Sequence, residues 1–324
     1  MVNQGIHLGL GMAEYHDWKL DKENLIEGPI SCSMLKRFDE NPYAWLKSPE
    51  MKQTDAMRKG SLFDAALTDP DSLNDLLGVP EKPDHCVILP FDDLRTKDAR
   101  EWKKEHEAIG ERVLKQSDYD KEQEAYKDAM EKIEQKRDHL SKAVREVYSH
   151  PIASKILKDA EFQVGVVGEV GGIPAKCLLD ILPSEGGDYS EAIADYKTIS
   201  TGLSNDSIRR AIGKFKYHWQ SGFYRTLFNK VHEDRLCDDF YFIFQCVNTL
   251  EVRVVKLNED ALSLGTRAVG RAIKDFLKCA HEGIKSRYLE DSDEMGLMPY
   301  HEMDEEESLA KRDGIEGLTE GGSR

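Results

Sequence analysis

The chain has no apolar run approaching the ~20 residues a membrane span requires, and no N-terminal signal pattern. No membrane association is expected. Its 6 cysteines contain no C-x-x-C pair, which argues against an iron–sulfur centre held by clustered cysteines. Cys32, Cys86, Cys177, Cys237, Cys246 and Cys279 are scattered and read as reduced thiols of a cytosolic protein. Positive charge is short as well: 45 Lys and Arg stand against 61 Asp and Glu, a net charge of −16. That balance alone argues against contact with nucleic acid. The deficit is uneven, however, because the segment from Leu289 onward holds about 12 acids against 3 bases.

The stretch from Glu161 to Lys197 organises the rest. Three apolar, β-prone runs are separated by Gly171-Gly172 and Gly186-Gly187, which predicts an antiparallel meander. Asp180 stands alone between Leu178-Leu179 and Ile181-Leu182, and a buried acid there needs a partner or a metal. The third run ends in Asp195-Tyr196-Lys197. Strand alternation puts Asp195 and Lys197 on one face and Tyr196 on the other. Two carboxylates and an ammonium converging at strand ends suit a hard divalent cation and the handling of a water nucleophile. An exposed D-x-K at an edge strand is common in itself; Asp180 is what sharpens the pattern.

Around this centre the chain reads as a mixed α/β (α+β) protein. Residues 1–28 carry little periodicity and are expected to form an N-terminal arm, extended or as a strand. Ser31 or Ser33 caps a helix whose apolar face runs through Met34, Leu35 and Phe38, and Asn41-Pro42 ends it. Tyr43 and Trp45 are expected in the core. A second helix spans about 59–68, with Asp64 on it and small residues that permit close packing. An irregular connection covers 71–95, and a helical insertion covers about 97–150, broken near Ser117-Asp118. Two further strands (240–247 and 251–257) and a closing helix (261–284) follow. The segment 288–324 is an acidic tail with no core stripe, expected to be disordered.

Between Ser207 and His232 lie Arg209, Arg210, Lys214, Lys216, Arg225 and Lys230, with no acid, interleaved with Phe215, Tyr217, Trp219, Phe223 and Tyr224. A basic, aromatic helix directly after the acidic strand is a candidate track for a phosphate backbone. It is equally a core helix whose bases simply face water.

The D-x14-D-x-K spacing of Asp180, Asp195 and Lys197 resembles the PD-(D/E)xK nuclease superfamily. Lys216-Tyr217-His218-Trp219-Gln220-Ser221-Gly222-Phe223-Tyr224, Lys176-Cys177-Leu178-Leu179-Asp180 and Asp195-Tyr196-Lys197-Thr198 are similar to elements of RecE-type exonucleases (exodeoxyribonuclease VIII). Ile30-Ser31-Cys32-Ser33, Asn41-Pro42-Tyr43 and Gly60-Ser61-Leu62-Phe63 resemble that family's N-terminal elements. The likeness covers about residues 28–285. It implies a restriction-endonuclease-like core over 29–287, a central mixed sheet flanked by helices. It implies a double-stranded DNA exonuclease, working 5′→3′ with two Mg²⁺ or Mn²⁺ ions. The metal ligands would be Asp180, Asp195 and the Tyr196 carbonyl, and Lys197 would act on water. Glu161 corresponds to the acid the family carries on its first strand. Asp64 stands where the family has His and is the candidate further ligand. Gln220 and Tyr224 would fix the scissile strand, with Arg209, Arg210, Lys214, Lys216 and Tyr217 on the DNA. The implied partners are DNA ends, a RecT-type single-strand annealing protein and further copies of the chain in a ring, in the cytoplasm of a bacterial or phage-infected cell. Leu178-Leu179 replaces the family's Arg-Pro before the first acid. With Asp64, that departure keeps two alternatives open: a catalytically degenerate DNA-end or partner-binding protein, and a structure-specific endonuclease.

Overall fold

A computed structural model describes residues 4–286 apart from 9, 11, 23, 49–52, 84 and 233; the predicted tail, 288–324, lies outside them. The chain opens with a short strand, β1 (Gly5–His7), and a short helix, α1 (Met12–Asp17). The Ser31 hydroxyl accepts the Met34 N–H at 3.4 Å and caps α2 (Cys32–Glu40). Asn41 ends that helix and caps α3 (Pro42–Lys47), its Oδ1 accepting the Ala44 N–H at 2.9 Å. Leu35, Phe38 and Trp45 are buried, whereas Tyr43, expected in the core, is 40% exposed. On a six-residue helix one turn decides the matter, and Tyr43 lies on the side that Trp45 does not.

Thr54 caps α4 (Asp55–Thr68). The stretch expected to be irregular contains α5 (Leu73–Leu77) and β2 (Cys86–Ile88). The insertion is divided earlier than its sequence suggests: α6 (Lys97–Ala108) gives way to β3 (Arg112–Leu114), which pairs in parallel with β2, before the long α7 (Gln116–Ser149). Three-residue strands carry too short an alternation to be read against helix-forming neighbours. His150-Pro151 separates α7 from α8 (Ala153–Leu157).

The meander follows as β4 (Glu161–Val170), β5 (Ile173–Leu182) and β6 (Ala192–Ile199). Gly171 and Gly172, at φ +63 and +88, make the tight turn between the first two. The basic segment forms two helices in place of the expected one, α9 (Asn205–Lys214) and α10 (Tyr217–Val231). The chain closes with β7 (Asp239–Cys246), β8 (Val252–Lys256) and α11 (Glu259–Glu282).

Six strands form one mixed sheet in the order β1-β4-β5-β6-β7-β8. All neighbours are antiparallel except β6 and β7, which α9 and α10 connect as a parallel crossover. The N-terminal arm therefore contributes the edge strand beside β4. One face of the sheet packs on α2, α3, α10 and α11 through residues such as Phe38, Phe223, Phe242 and Phe276. The other packs on α4, α7 and α8 through Phe63, Leu140, Ile156 and Ile243. The result is a three-layer α/β/α arrangement with the meander at its centre. On the first face α10 and α11 meet almost backbone to backbone: a Cβ on Gly265 would lie 1.8 Å from the His218 carbonyl oxygen, and one on Gly222 would lie 2.6 Å from the Gly265 carbonyl carbon.

Candidate active site

The site forms where β5 and β6 part. β4 and β5 are laddered along nearly their whole length, while β5 and β6 pair at Ile181 opposite Ala194. Earlier on β5, Ala175, Cys177 and Leu179 face the α10 layer, but across Asp180 the alternation slips: Ile181 faces the α7 layer and Leu182 returns. Such a shift re-aims one side chain and opens the ladder. The Asp180 carboxylate fills the gap, its Oδ2 accepting the Tyr196 N–H at 3.2 Å.

On β6, Asp195 is fully buried. Its Oδ1 accepts from Gln220 Nε2 on α10, and its Oδ2 is in contact with the Lys197 ammonium. Lys197 Nζ also lies 3.6 Å from Asp180 Oδ2 and donates to the Tyr196 carbonyl at 3.3 Å. Burial disfavours the Lys197 charge, but Asp195 and Asp180 outweigh it and hold the ammonium protonated. Burial and then the neighbouring Asp180 push the Asp195 carboxyl up, with Lys197 opposing them. The Tyr196 side chain points to the other face, where its hydroxyl bonds Gln245. That amide donates to the carbonyls of Ala143 at 2.9 Å and Leu250 at 3.0 Å, so Tyr196 anchors its strand.

Asp64 approaches from the opposite layer. One turn before it, a Cβ on Gly60 would lie 3.3 Å from Thr198 Oγ1, so glycine lets α4 sit close to the end of β6. Asp64 Oδ1 is buried with no hydrogen-bond partner. Its carboxyl is pushed up to about 8, first by burial and then by Asp180. Among the described residues no three carboxylate, imidazole or thiol side chains stand close enough together to hold a metal as they are. Lys197 supplies the positive charge between Asp180 and Asp195. The donors nevertheless suit a hard cation: all are oxygens, and Asp64 presents a buried oxygen with no other bond.

Glu161 is exposed and opposite Leu182, away from this cluster. With Phe162 opposite Ile181 and Val164 opposite Leu179, the residue level with Asp180 is Gln163, at φ +50. Gln163 is buried; its Nε2 donates to Thr68 Oγ1 at 2.9 Å, and its Oε1 has no hydrogen-bond partner. An isolated polar residue in Phe162-Gln163-Val164 is the same signal that marks Asp180. Lys36 of α2 is a second residue not anticipated. Its ammonium donates to the Phe215 carbonyl at 3.0 Å and lies 5.8 Å from the Tyr217 ring. Burial first, and Lys197 among its neighbours, lower its pKa; its place on a helix that otherwise reads by its apolar face conceals it.

Tyr224 packs on the core beside Phe240, and burial pushes its hydroxyl up, with Asp195 and Asp180 among the charges it senses. Tyr217 lies with its ring 5.5 Å from Lys197 Nζ. The basic track divides. Arg209, Arg210 and Lys214 are exposed on α9. Lys216 is engaged elsewhere, pairing with Asp39 Oδ2 at 3.1 Å.

A three-layer fold with two carboxylates and a lysine at the split between its central strands is the architecture of PD-(D/E)xK-type proteins. The chain belongs to that group: residues 31–295 match the family described as a PDDEXK-like domain of unknown function. Among solved structures, a candidate exonuclease from Eubacterium rectale is similar over 92% of this chain and 98% of its own, with a TM-score of 0.52 at 14% identity; that likeness shows the fold. A second structure, SSO0001, covers 68% of this chain and 86% of its own at 13% identity, with a TM-score of 0.26 that supports no further comparison. No curated protein sequence matches the chain significantly. Among the described residues no helix is long and apolar enough to cross a membrane.

Proposed function

We propose that the protein is a divalent-cation-dependent deoxyribonuclease acting on double-stranded DNA ends. The observation that carries this reading is the Asp180–Lys197–Asp195 cluster, clamped by Gln220 at the opening between β5 and β6. Bound Mg²⁺ or Mn²⁺ would polarise the scissile phosphate and lower the pKa of the attacking water. Asp180, Asp195 and the Tyr196 carbonyl would hold it, with Asp64 as the further oxygen ligand. Lys197 would then be released from its carboxylates to orient the water or stabilise charge on the phosphate. Gln220 fixes the Asp195 carboxylate through a hydrogen bond, and Tyr224 sits behind it. Arg209, Arg210 and Lys214 offer phosphate contacts, whereas Lys216 braces the turn between the helices.

Processing in the 5′→3′ direction, a single-strand annealing partner, a homo-oligomeric ring and a place in recombination rest on the resemblance to RecE-type exonucleases. The same resemblance is the ground for proposing end degradation over internal cutting. The test is a comparison of linear and covalently closed plasmid in Mg²⁺. Loss of the linear form alone is expected, and should disappear with Asp195→Asn. Nicking of closed circles would indicate an endonuclease, and binding of ends without cleavage would indicate a degenerate nuclease fold.

A further inference from the structure

Between α9 and α10 the chain turns on Phe215 and Lys216, and Lys216 adopts φ +51. That left-handed backbone costs a residue with a side chain ~1 kcal/mol or more. Contacts hold it in place: the Lys216 ammonium pairs with Asp39 and lies 4.8 Å from the Trp219 ring centroid, while Arg271 grips the other oxygen of Asp39 at 3.1 Å. The turn leaves Phe215 51% exposed and yet fixed. Its ring stacks on Tyr217, with centroids 5.5 Å apart and planes at 28°. Its carbonyl is tied to Lys36 on α2.

A single exposed aromatic is ordinary on a protein surface. This one differs in its setting. Tyr217 connects it to Lys197 through a second contact of 5.5 Å, which places the ring roughly one to three nucleotide steps from the cluster, at about 3.4 Å per step along a strand. Lys214 Nζ lies 5.5 Å from the ring centroid. A packed aromatic ring with a cation close by is how proteins that grip single strands stack bases without reading sequence.

We propose that Phe215 is a nucleobase-stacking platform. A base close to the scissile phosphate lies on its ring, and Lys214, now over that ring, moves to a backbone phosphate. The platform would hold the strand end in register while Lys197 and the carboxylates act. It rests on the nuclease reading above and adds a positioning residue to it.

The full chain is titrated, with Ca²⁺ in place of Mg²⁺, against a short duplex with a single-stranded overhang. A companion series lacks one base at each successive position from the end. Phe215→Ala should weaken binding of intact DNA roughly tenfold, the order of one base–aromatic stack. Phe215→Trp should bind within about threefold of wild type. For DNA lacking the stacked base, and only there, wild type and Phe215→Ala should bind alike. Equal losses at every base-free position, or no loss with Phe215→Ala, would overturn the platform while cleavage of DNA by the wild type continued. Absence of Mg²⁺-dependent cleavage in the wild type would overturn the nuclease reading and the platform with it.

Discussion

Burying Asp195 removes a carboxylate from water at a cost of several kcal/mol, which the Lys197 ammonium and the Gln220 amide offset. The two groups cannot be removed singly without consequence. Lys197→Met leaves Asp195 buried beside Asp180 with no counter-charge, and should lower unfolding free energy in EDTA by about 3–5 kcal/mol, measured by urea denaturation. Repulsion between the two acids is no reason to expect a more stable Asp195→Ala, because the ammonium already bridges them; that variant should also unfold earlier. Asp64 is a different case, since its buried Oδ1 bonds to nothing. If it is a ligand, Asp64→Asn should raise the Mg²⁺ concentration for half-maximal cleavage about tenfold, and Asp64→His should keep much of the activity. An Asp64→Asn enzyme with an unchanged Mg²⁺ requirement would return Asp64 to a packing role. At this scale the sequence is informative where covalent order suffices. Asp195 and Lys197 share a face by alternation alone, and a lone acid in Leu178-Leu179-Asp180-Ile181 calls for a partner. Glu161 is singled out by the resemblance, whereas Gln163 carries only the weak signal of a polar residue between Phe162 and Val164; that it stands level with Asp180 comes from the β4–β5 register, and the change of layer there is a tertiary feature.

At the scale of elements, two junctions position the site. The first is the approach of α10 to α11, which places Gln220 over Asp195. Gly265→Ala drives a methyl into the His218 carbonyl at 1.8 Å, and relief requires the helices to separate. The expected destabilisation is ~3 kcal/mol, at the upper end of ordinary overpacking, with nuclease activity falling as Gln220 is displaced; a thermal midpoint equal to wild type would contradict the packing described. The second is the N-terminal segment, held by Lys176, whose ammonium donates to the carbonyls of Tyr15 and Trp18 and lies 4.2 Å from the Tyr15 ring. Burial, and then Lys19, lower its pKa from 10.5 to about 8. Between those values the unfolded chain binds more protons than the folded one, so this group makes stability rise with pH across about 8 to 10.5 and contributes no slope below. Comparison of wild type with Lys176→Met by urea unfolding at pH 7.5 and 10 should show the larger rise in the wild type. The long elements and their caps are legible from Ser31, Asn41 and Gly171-Gly172. The break at Phe215-Lys216 is not, because the turn is held by contacts distant in sequence, chiefly the Lys216–Asp39 ion pair.

Across the whole molecule, a net charge of −16 opposes DNA, so a nuclease reading requires a local basic route. Arg209 and Arg210 are exposed on α9 and are the proposed route. Reversing both to Glu should weaken duplex binding and reduce the slope of log Kd against log salt by about two, one for each phosphate that the variant no longer neutralises; an unchanged slope would move the DNA path elsewhere. Deleting 303–324, a segment with far more acids than bases, should tighten binding at low salt. Five of the six strands and the closing helix are readable as a sequence of runs, but β1 is not, and the layer to which each helix belongs depends on contacts between residues more than a hundred apart, such as Gln245 with Ala143. The central claim is that Asp180, Asp195 and Lys197 form a cation-dependent hydrolytic centre. Its most direct test is the digestion of a linear duplex labelled at one 5′ end, with Mg²⁺ or EDTA, by wild type and Asp180→Asn. Release of label as short products is expected from the wild type in Mg²⁺ alone, and none from Asp180→Asn. Undiminished release in EDTA, or by Asp180→Asn in Mg²⁺, would contradict it.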